Sequence, residues 1–209
     1  VIESLAHAHR LDGAERAHLF VLADQPLPAP TVSNDPVHPT LHDLVDVLEP
    51  NPAYVINHCW DVLAYNRAEA ALVRDFEELP EPERNIIWLV FTDPALRTLL
   101  VDWTTEAQSL LAKYRAAAAE RAGDPRFTAL TEALHGASPE FRDWWPRHDI
   151  RGFEPARKQF RHPTAGLLKV NYLRLEPATH PDHHLLVYLP ADARSADALQ
   201  RLAGSPDPA

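Results

Sequence analysis

Apolar positions along this chain follow two different periods, and the changes of period mark its elements. Residues 1–23 carry helical spacing twice over. Ile2, Leu5, Ala6 and His9 share one stripe, and Ala17, Leu19, Phe20, Leu22 and Ala23 form a second. Leu11-Asp12-Gly13 separates them, and Asp12 with Glu15 has the spacing of a capping box. Residues 24–40 hold five prolines and neither period, which predicts an extended, exposed linker. Leu41 to Leu48 returns to helical spacing, and Pro50-Asn51-Pro52 stops it.

Two short runs rich in β-branched and aromatic residues follow, Ala53 to Asn57 and Asp61 to Tyr65. Only His58-Cys59-Trp60 lies between them, so they predict a hairpin. Asn66 is placed to cap a helix through Val73, with the acid Glu69 at its third position. The middle of the chain predicts helices throughout. One spans Glu83 to Phe91. A long second one opens at Asp93-Pro94 and stops at Gly123, with the stripe Leu96, Leu99, Leu100, Trp103, Ala107, Leu110, Leu111, Tyr114. Asp124-Pro125 opens another through Leu134, and Ser138-Pro139-Glu140 opens a last one carrying Phe141, Trp144 and Trp145.

Beyond these the period shortens to two. Phe153 to Phe160, Leu167 to Leu175 and His184 to Leu189 predict three strands, with Leu168, Val170 and Tyr172 on one face of the second. Ser195 to Leu202 reads as a closing helix and residues 204–209 as a tail. Two strands, a block of helices and three strands describe an α+β fold, a five-stranded sheet covered by helices on one face.

Composition narrows the chemistry. Of 209 residues 45% are apolar, enough at this length for a real core. Six scattered glycines leave no G-x-G-x-x-G or G-x-x-x-x-G-K-[ST] phosphate loop. The single thiol, Cys59, excludes an internal disulfide and a multi-cysteine metal cluster. The strongly apolar runs are too short to span a membrane, and no signal peptide is read at the start, so the expectation is a soluble, cytoplasmic protein. A net charge of −10 disfavours a broad grip on a phosphate backbone. The chain has no methionine, and its first residues read as the middle of something longer. Only three lysines occur, at 113, 158 and 169.

His180-x-x-His183-His184 has imidazoles close enough to suggest zinc or nickel, and an enzymatic reading would rest on them alone. The run sits between two predicted strands with Pro181-Asp182 making a turn, so a solvated hairpin loop is the expectation, with no metal site and no cofactor. Cys59 beside His58 reads as an ordinary thiol in a turn. No G-x-S-x-G and no closely spaced carboxylate pair is present, and nothing in the sequence calls for turnover, so no catalytic residue is assigned.

Strands leading through Val62, Ala64 and Asn66 into a helix resemble a PAS domain. Longer stretches are more specific. NPAYVINHCWDVLAYN (51–66), ERNIIWLVFTDPALRTLLVDW (83–103), SPEFRDWWPRHDIR (138–151) and RHPTAGLLKVNY (161–172) are similar to the ligand-binding domain of MmyB-like transcription regulators. LAHAHRLDGAERAHLFVLA (5–23) resembles the last helices of an XRE-type helix-turn-helix domain. The resemblance implies a PAS-like five-stranded antiparallel sheet covered by helices over residues 41–203, preceded by short N-terminal helices (1–23) and the linker (24–40). It implies a ligand-responsive regulator that reaches DNA through a helix-turn-helix domain mostly absent from this chain, and a homodimer as its working form.

A PAS-like sheet under helices leaves room inside. Tyr54, Ile56, Phe153, Tyr172 and Tyr188 on the strands, and Trp88, Phe91, Leu99, Trp103, Leu110 and Tyr114 on the helices, are candidates either for the lining of a cavity or for ordinary core. The expected ligand is a small apolar molecule, fatty-acid-like or antibiotic-related. An acyl chain of ~10 methylenes gains roughly 8 kcal/mol on burial before ordering costs. Arg84 and Asn85 could anchor its head group, as could His148 beside Arg147 and Asp149, and each has an equally plain structural role near a helix end. The competing reading is a filled PAS-like core that serves as an interaction or dimerisation module.

Overall fold

The computed structural model describes residues 2–9, 11, 13–23, 25, 37–147, 157–180 and 182–204. The chain divides into two compact units, Val1–Asn34 and Asp35–Ala209. The first contains helices α1 (Ile2–Ala8) and α2 (Gly13–Leu22), the two helical stripes of the sequence; the proposed cap Asp12 lies outside the described residues.

The second unit opens with α3 (Pro39–Val47), which takes Pro39 as its first residue and His38 as its cap, two residues ahead of the predicted start. A hairpin follows, β1 (Ala53–Asn57) and β2 (Val62–Tyr65). Its turn is held by Asn57, whose side-chain oxygen accepts from the Cys59 and Asp61 N–H groups at 2.9 and 3.0 Å. Trp60 in that turn has φ +66°, a conformation that an L side chain adopts at a cost. Its buried ring, edge-on to Tyr114 at 5.7 Å, offsets it.

Helix α4 (Arg67–Leu72) comes next, capped by Asn66, then 3-10 turns at Phe76–Glu78 and Glu81–Glu83. Helix α5 is Ile86–Thr92, shorter than the predicted Glu83–Phe91. The reason is backbone competition: Val62 N–H donates to the Arg84 carbonyl (2.7 Å) and Ile86 N–H to the Trp60 carbonyl (2.9 Å), so residues 84–86 pair with the hairpin rather than with a helix.

The expected long helix is also divided, into α6 (Pro94–Leu99) and α7 (Trp103–Glu120). Leu100 leaves the helix to bridge Phe160, and Val101 N–H donates to the Gln159 carbonyl at 3.1 Å. Asp102 then caps α7 through Thr105 N–H. Helices α8 (Pro125–Ala137) and α9 (Pro139–Trp144) start at Asp124-Pro125 and Ser138-Pro139, as the sequence predicts. Strands β3 (Arg157–His162), β4 (Gly166–Leu175) and β5 (His183–Pro190) and helix α10 (Ala193–Gly204) complete the unit. Residues 153–156, the start of the first predicted late strand, lie outside the described residues.

The sheet is antiparallel throughout, in the order β2-β1-β5-β4-β3. This is the expected PAS-like α+β architecture, except that α3 covers part of the second face, where helices were expected on one face alone. Alternation along the strands gives it two faces. Ala53, Val55, Leu185 and Val187 pack under Leu41 and Val45 of α3. Tyr54, Ile56, Phe160, Leu168, Val170, Leu186 and Tyr188 face the helical layer and α10.

Asn66 joins these layers. It is 1% exposed, and its side-chain oxygen accepts from the N–H groups of Ala53 (3.1 Å) and Glu69 (3.0 Å). Its amide donates to the carbonyls of Val45 (3.1 Å) and Asn51 (2.9 Å). Replacement by alanine removes a cap and leaves buried polar groups unpaired, each costing ~1–3 kcal/mol. Asn66→Ala is therefore expected to lower the unfolding free energy by about 3 kcal/mol or more in urea titrations; a loss below ~1 kcal/mol would remove Asn66 from this role.

Candidate functional site

The inner face of the sheet does not pack completely against the helices. Between them lies a cavity of about 60 Å³. Its buried side is made by Tyr54, Ile56, Phe160, Leu186 and Tyr188 from the sheet, Val90, Leu96 and Leu100 from the helical layer, and Trp60 from the hairpin turn. Half-buried side chains complete it: Leu110, Lys113 and Glu106 of α7, Lys158 of β3, and Tyr172 and Arg174 of β4.

Register explains the convergence. Tyr172 pairs with Tyr188 and Arg174 with Leu186 across β4 and β5, and Tyr54 pairs with Leu186 across β1 and β5. Side chains at these positions share one face. The Tyr54 and Tyr188 hydroxyls meet at 3.3 Å, and burial raises both phenols well above their usual range. The Lys158 ammonium lies 4.5 Å over the Tyr172 ring and pairs with Glu106 at 3.1 Å.

Glu69 is the unusual member. It lines the same cavity, is 1% exposed, and its Oε2 has no hydrogen-bond partner among the described residues. Burial pushes its carboxyl up to about 8, while the Lys158 charge pulls the other way. It is thus mostly neutral at pH 7. The third position of α4 explains its freedom. In a full capping box its side chain would reach back to the Asn66 N–H, but that N–H donates to the Ala53 carbonyl at 3.0 Å. Only half of the box forms, and the carboxyl turns inward.

Of the residues singled out in the sequence, Tyr54, Ile56, Leu110, Tyr172 and Tyr188 line this cavity together. Asn85 and Trp88 line a separate groove between the start of α5 and α8, with Asp61, Arg126 and Leu130. Asn85 is also the cap of α5, accepting from Ile87 and Trp88 N–H and donating to the Cys59 carbonyl and Asp61 at 2.7 Å each. Arg84 donates to the Leu79 and Glu77 carbonyls at 2.9 and 3.1 Å, holding the 3-10 turns. Phe91, Leu99 and Trp103 are buried in the core beside α9, where Phe91 meets Trp103 at 6.2 Å and Phe141 at 5.2 Å and the Trp103 indole donates to the Val90 carbonyl. His148 lies outside the described residues, as do Asp149 and Phe153.

Sequence reasoning passed over Glu69, Trp60, Glu106, Lys158, Phe160 and Arg174. That two of the chain's three lysines, Lys113 and Lys158, line this one cavity is visible only once the chain is folded.

His58, Cys59 and Asp124 place ligand-type atoms within 4.8 Å of one another. The Arg126 guanidinium already sits among them, 2.6 Å from His58 Nε2 and 3.2 Å from Asp124. Burial pushes the Cys59 thiol up to about 12, which leaves it without thiolate reactivity at neutral pH. His183 and His184 belong to β5 and not to the expected solvated loop: His183 is 4% exposed, its ring tilted against that of His180 at 5.8 Å, and burial takes His184 down to about 4.

A family model for the MmyB-like transcription regulator ligand binding domain matches residues 37–202. No curated protein matches the chain. Among the described residues no helix is long and apolar enough to cross a membrane.

The Glu69 carboxyl also gives stability a pH dependence. Its folded pKa is raised, so the folded state binds the proton more tightly than the unfolded chain. The resulting stabilisation is full below the ordinary carboxylate range and is lost as pH rises through about 8. Glu69→Gln lacks this dependence. Its stability relative to the wild type should therefore climb by up to ~1.4 kcal/mol per pH unit across that window, measured by urea unfolding at several pH values. A difference that stays constant over the window would contradict a buried, titrating Glu69.

Proposed function

The chain belongs, through residues 37–202, to the family of MmyB-like transcription regulator ligand-binding domains, and from that premise we propose that it is the sensor part of a ligand-responsive helix-turn-helix regulator. In this reading the PAS-like unit binds a small apolar molecule, fatty-acid-like or antibiotic-related, and catalyses nothing. The helical segments Ile2–Ala8 and Gly13–Leu22 are the end of an XRE-type DNA-binding domain, residues 24–40 are its linker, and the regulator acts as a homodimer on operator half-sites.

The observation that carries the reading is the cavity between sheet and helices. Apolar walls from both layers surround a few convergent polar groups, the general form of a small-molecule site. Its size bears on mechanism. About 60 Å³ is well below the roughly 300–1,000 Å³ of small-molecule pockets, so an acyl chain enters only if the walls separate. A ligand that binds the wider arrangement better than this one shifts the population toward it, and equal affinity for both would switch nothing.

A second reading has its own observation. Leu167, Leu173 and Leu175 of β4 and Leu189 of β5 are exposed on the outer face of the sheet, between 37% and 45%. Such a strip favours an interaction module in which a second copy covers the sheet and the inner cavity takes no ligand.

Denaturing extraction and mass spectrometry of the purified protein separate the two: a stoichiometric apolar molecule is expected under the first, and none under the second. A gel shift of the full-length regulator should then respond to the extracted compound. Operator binding that is unchanged at saturation would overturn the switching role.

A further inference from the structure

Resting on that ligand-binding reading, we propose that Glu69 selects the ligand of the inner cavity, its carboxyl donating a hydrogen bond to the oxygen of a carboxyl or hydroxyl group that ends an otherwise apolar molecule. An ammonium end is excluded.

The case starts from polar groups that have no protein partner. The cavity's other acid, Glu106, is paired with Lys158. A terminal nitrogen of Arg174 lies 3.7 Å from Glu176, while its Nε is enclosed without a hydrogen-bond partner among the described residues, a donor facing the same space. The Tyr54 and Tyr188 hydroxyls bond each other. Glu69 Oε2 is fully enclosed and bonds to nothing among the described residues. Such a group costs free energy to bury unless something within the cavity meets it. Its own helix offers only the Asn66 N–H, already given to Ala53.

The sign of charge decides between ligand classes. Three cations (Lys113, Lys158, Arg174) and two acids (Glu69, Glu106) line the cavity. An ammonium would therefore enter a region of net positive charge to meet a carboxyl that is mostly neutral. An oxygen acceptor receives the carboxyl's proton in a hydrogen bond, and an anionic one also gains from Lys158.

The surroundings of Glu69 permit a single titration to be read. Lys158 of β3 acts on it from the sheet, and Tyr54 of β1, Tyr172 of β4 and Tyr188 of β5 face the same space. Glu106 and Lys113 look in from α7 and Arg174 from β4. On the flanks of α4, Glu49 accepts from the Ala68 N–H, and His162, lowered by burial, bonds the Ala71 carbonyl. The helix α10 packs on α4 through apolar residues and keeps Arg194, Asp197 and Arg201 exposed. Within this setting burial pushes the Glu69 carboxyl up to about 8.

The test is calorimetric titration of the full chain and of its Glu69→Gln and Glu69→Leu variants with octanoate, octan-1-ol and octylamine. For the wild type at pH 7, octanoate and octanol should bind at least about tenfold more tightly than octylamine. Glu69→Leu should weaken octanoate about tenfold, whereas Glu69→Gln, which keeps an N–H donor, should stay within about threefold. Raising pH through about 8 should weaken octanoate binding to the wild type, approaching tenfold per unit, and leave Glu69→Gln flat.

Tightest binding of octylamine, lost in Glu69→Gln, would overturn the proposal in favour of an ion pair. Equal octanoate binding by all three proteins, with no pH dependence, would overturn it and leave the cavity as a ligand site. Failure of the wild type to bind any of the three would overturn both this proposal and the apolar-ligand reading beneath it.

Discussion

Much of this unit depends on where one buried amide sits. Asn66 stands at the junction of β2 and α4 and reaches Val45 of α3, Asn51 before β1, Ala53 of β1 and Glu69 of α4. Three elements that a polypeptide could arrange in many ways are thereby fixed to one point, by hydrogen bonds that lose their water when they form. The same geometry has a second consequence one helical turn on. Because the Asn66 N–H serves Ala53, Glu69 donates its backbone N–H to the Asn66 side chain but accepts none in return through its carboxyl. The structural role of the asparagine therefore creates the chemical character of the cavity.

The walls of that cavity are held by bonds of unequal stiffness. Helix α5 joins the hairpin through backbone pairing at Asp61 and Asn85, and the end of α6 joins β3 through Leu100, Val101 and Gln159. These are main-chain contacts with little freedom to stretch. Helix α7 is tied to the strand side by ion pairs of longer side chains, Glu106 with Lys158 and Arg121 with Asp182, each about 3 Å. Both pairs are largely enclosed, and they add to the hold that α7 has on the core through Trp103, Ala107, Leu111 and Tyr114.

Most of the fold was legible in the sequence. Alternation in LLKVNYLRL gave the faces of β4, and the cap residues Asn66, Asp93, Asp124 and Ser138 gave helix starts to the residue. What periodicity could not show was competition for backbone groups. The stripe from Leu96 to Tyr114 is continuous, yet Leu100 and Val101 pair with β3, a strand some sixty residues away in the chain. The site was harder to read for a related reason. Tyr54, Tyr172 and Tyr188 announce themselves as aromatic residues on alternating strands. Phe91 and Trp103 look the same in sequence and belong to the packed core with Phe141. Which large residues pack tightly and which leave space is a matter of three-dimensional fit.

Glu69 shows the limit most clearly, because the local rule that explains its position hides its chemistry. An acid three residues after an asparagine cap is a familiar helix start, and a surface helix would leave that carboxyl in water or on the cap's N–H. Here tertiary structure removes both outcomes: β1 takes the N–H, and burial to 1% exposure excludes the water. Leucine at this position would suit Val73, Phe160 and Tyr188, which line the same cavity, better for stability alone. A sensor has a different requirement. Its cavity must distinguish molecules, and apolar contacts discriminate weakly between end groups, whereas a buried polar group left unpaired by the wrong ligand discriminates strongly. The proposed selectivity of Glu69 thus arises from the same feature that makes it costly, a carboxyl with no partner of its own.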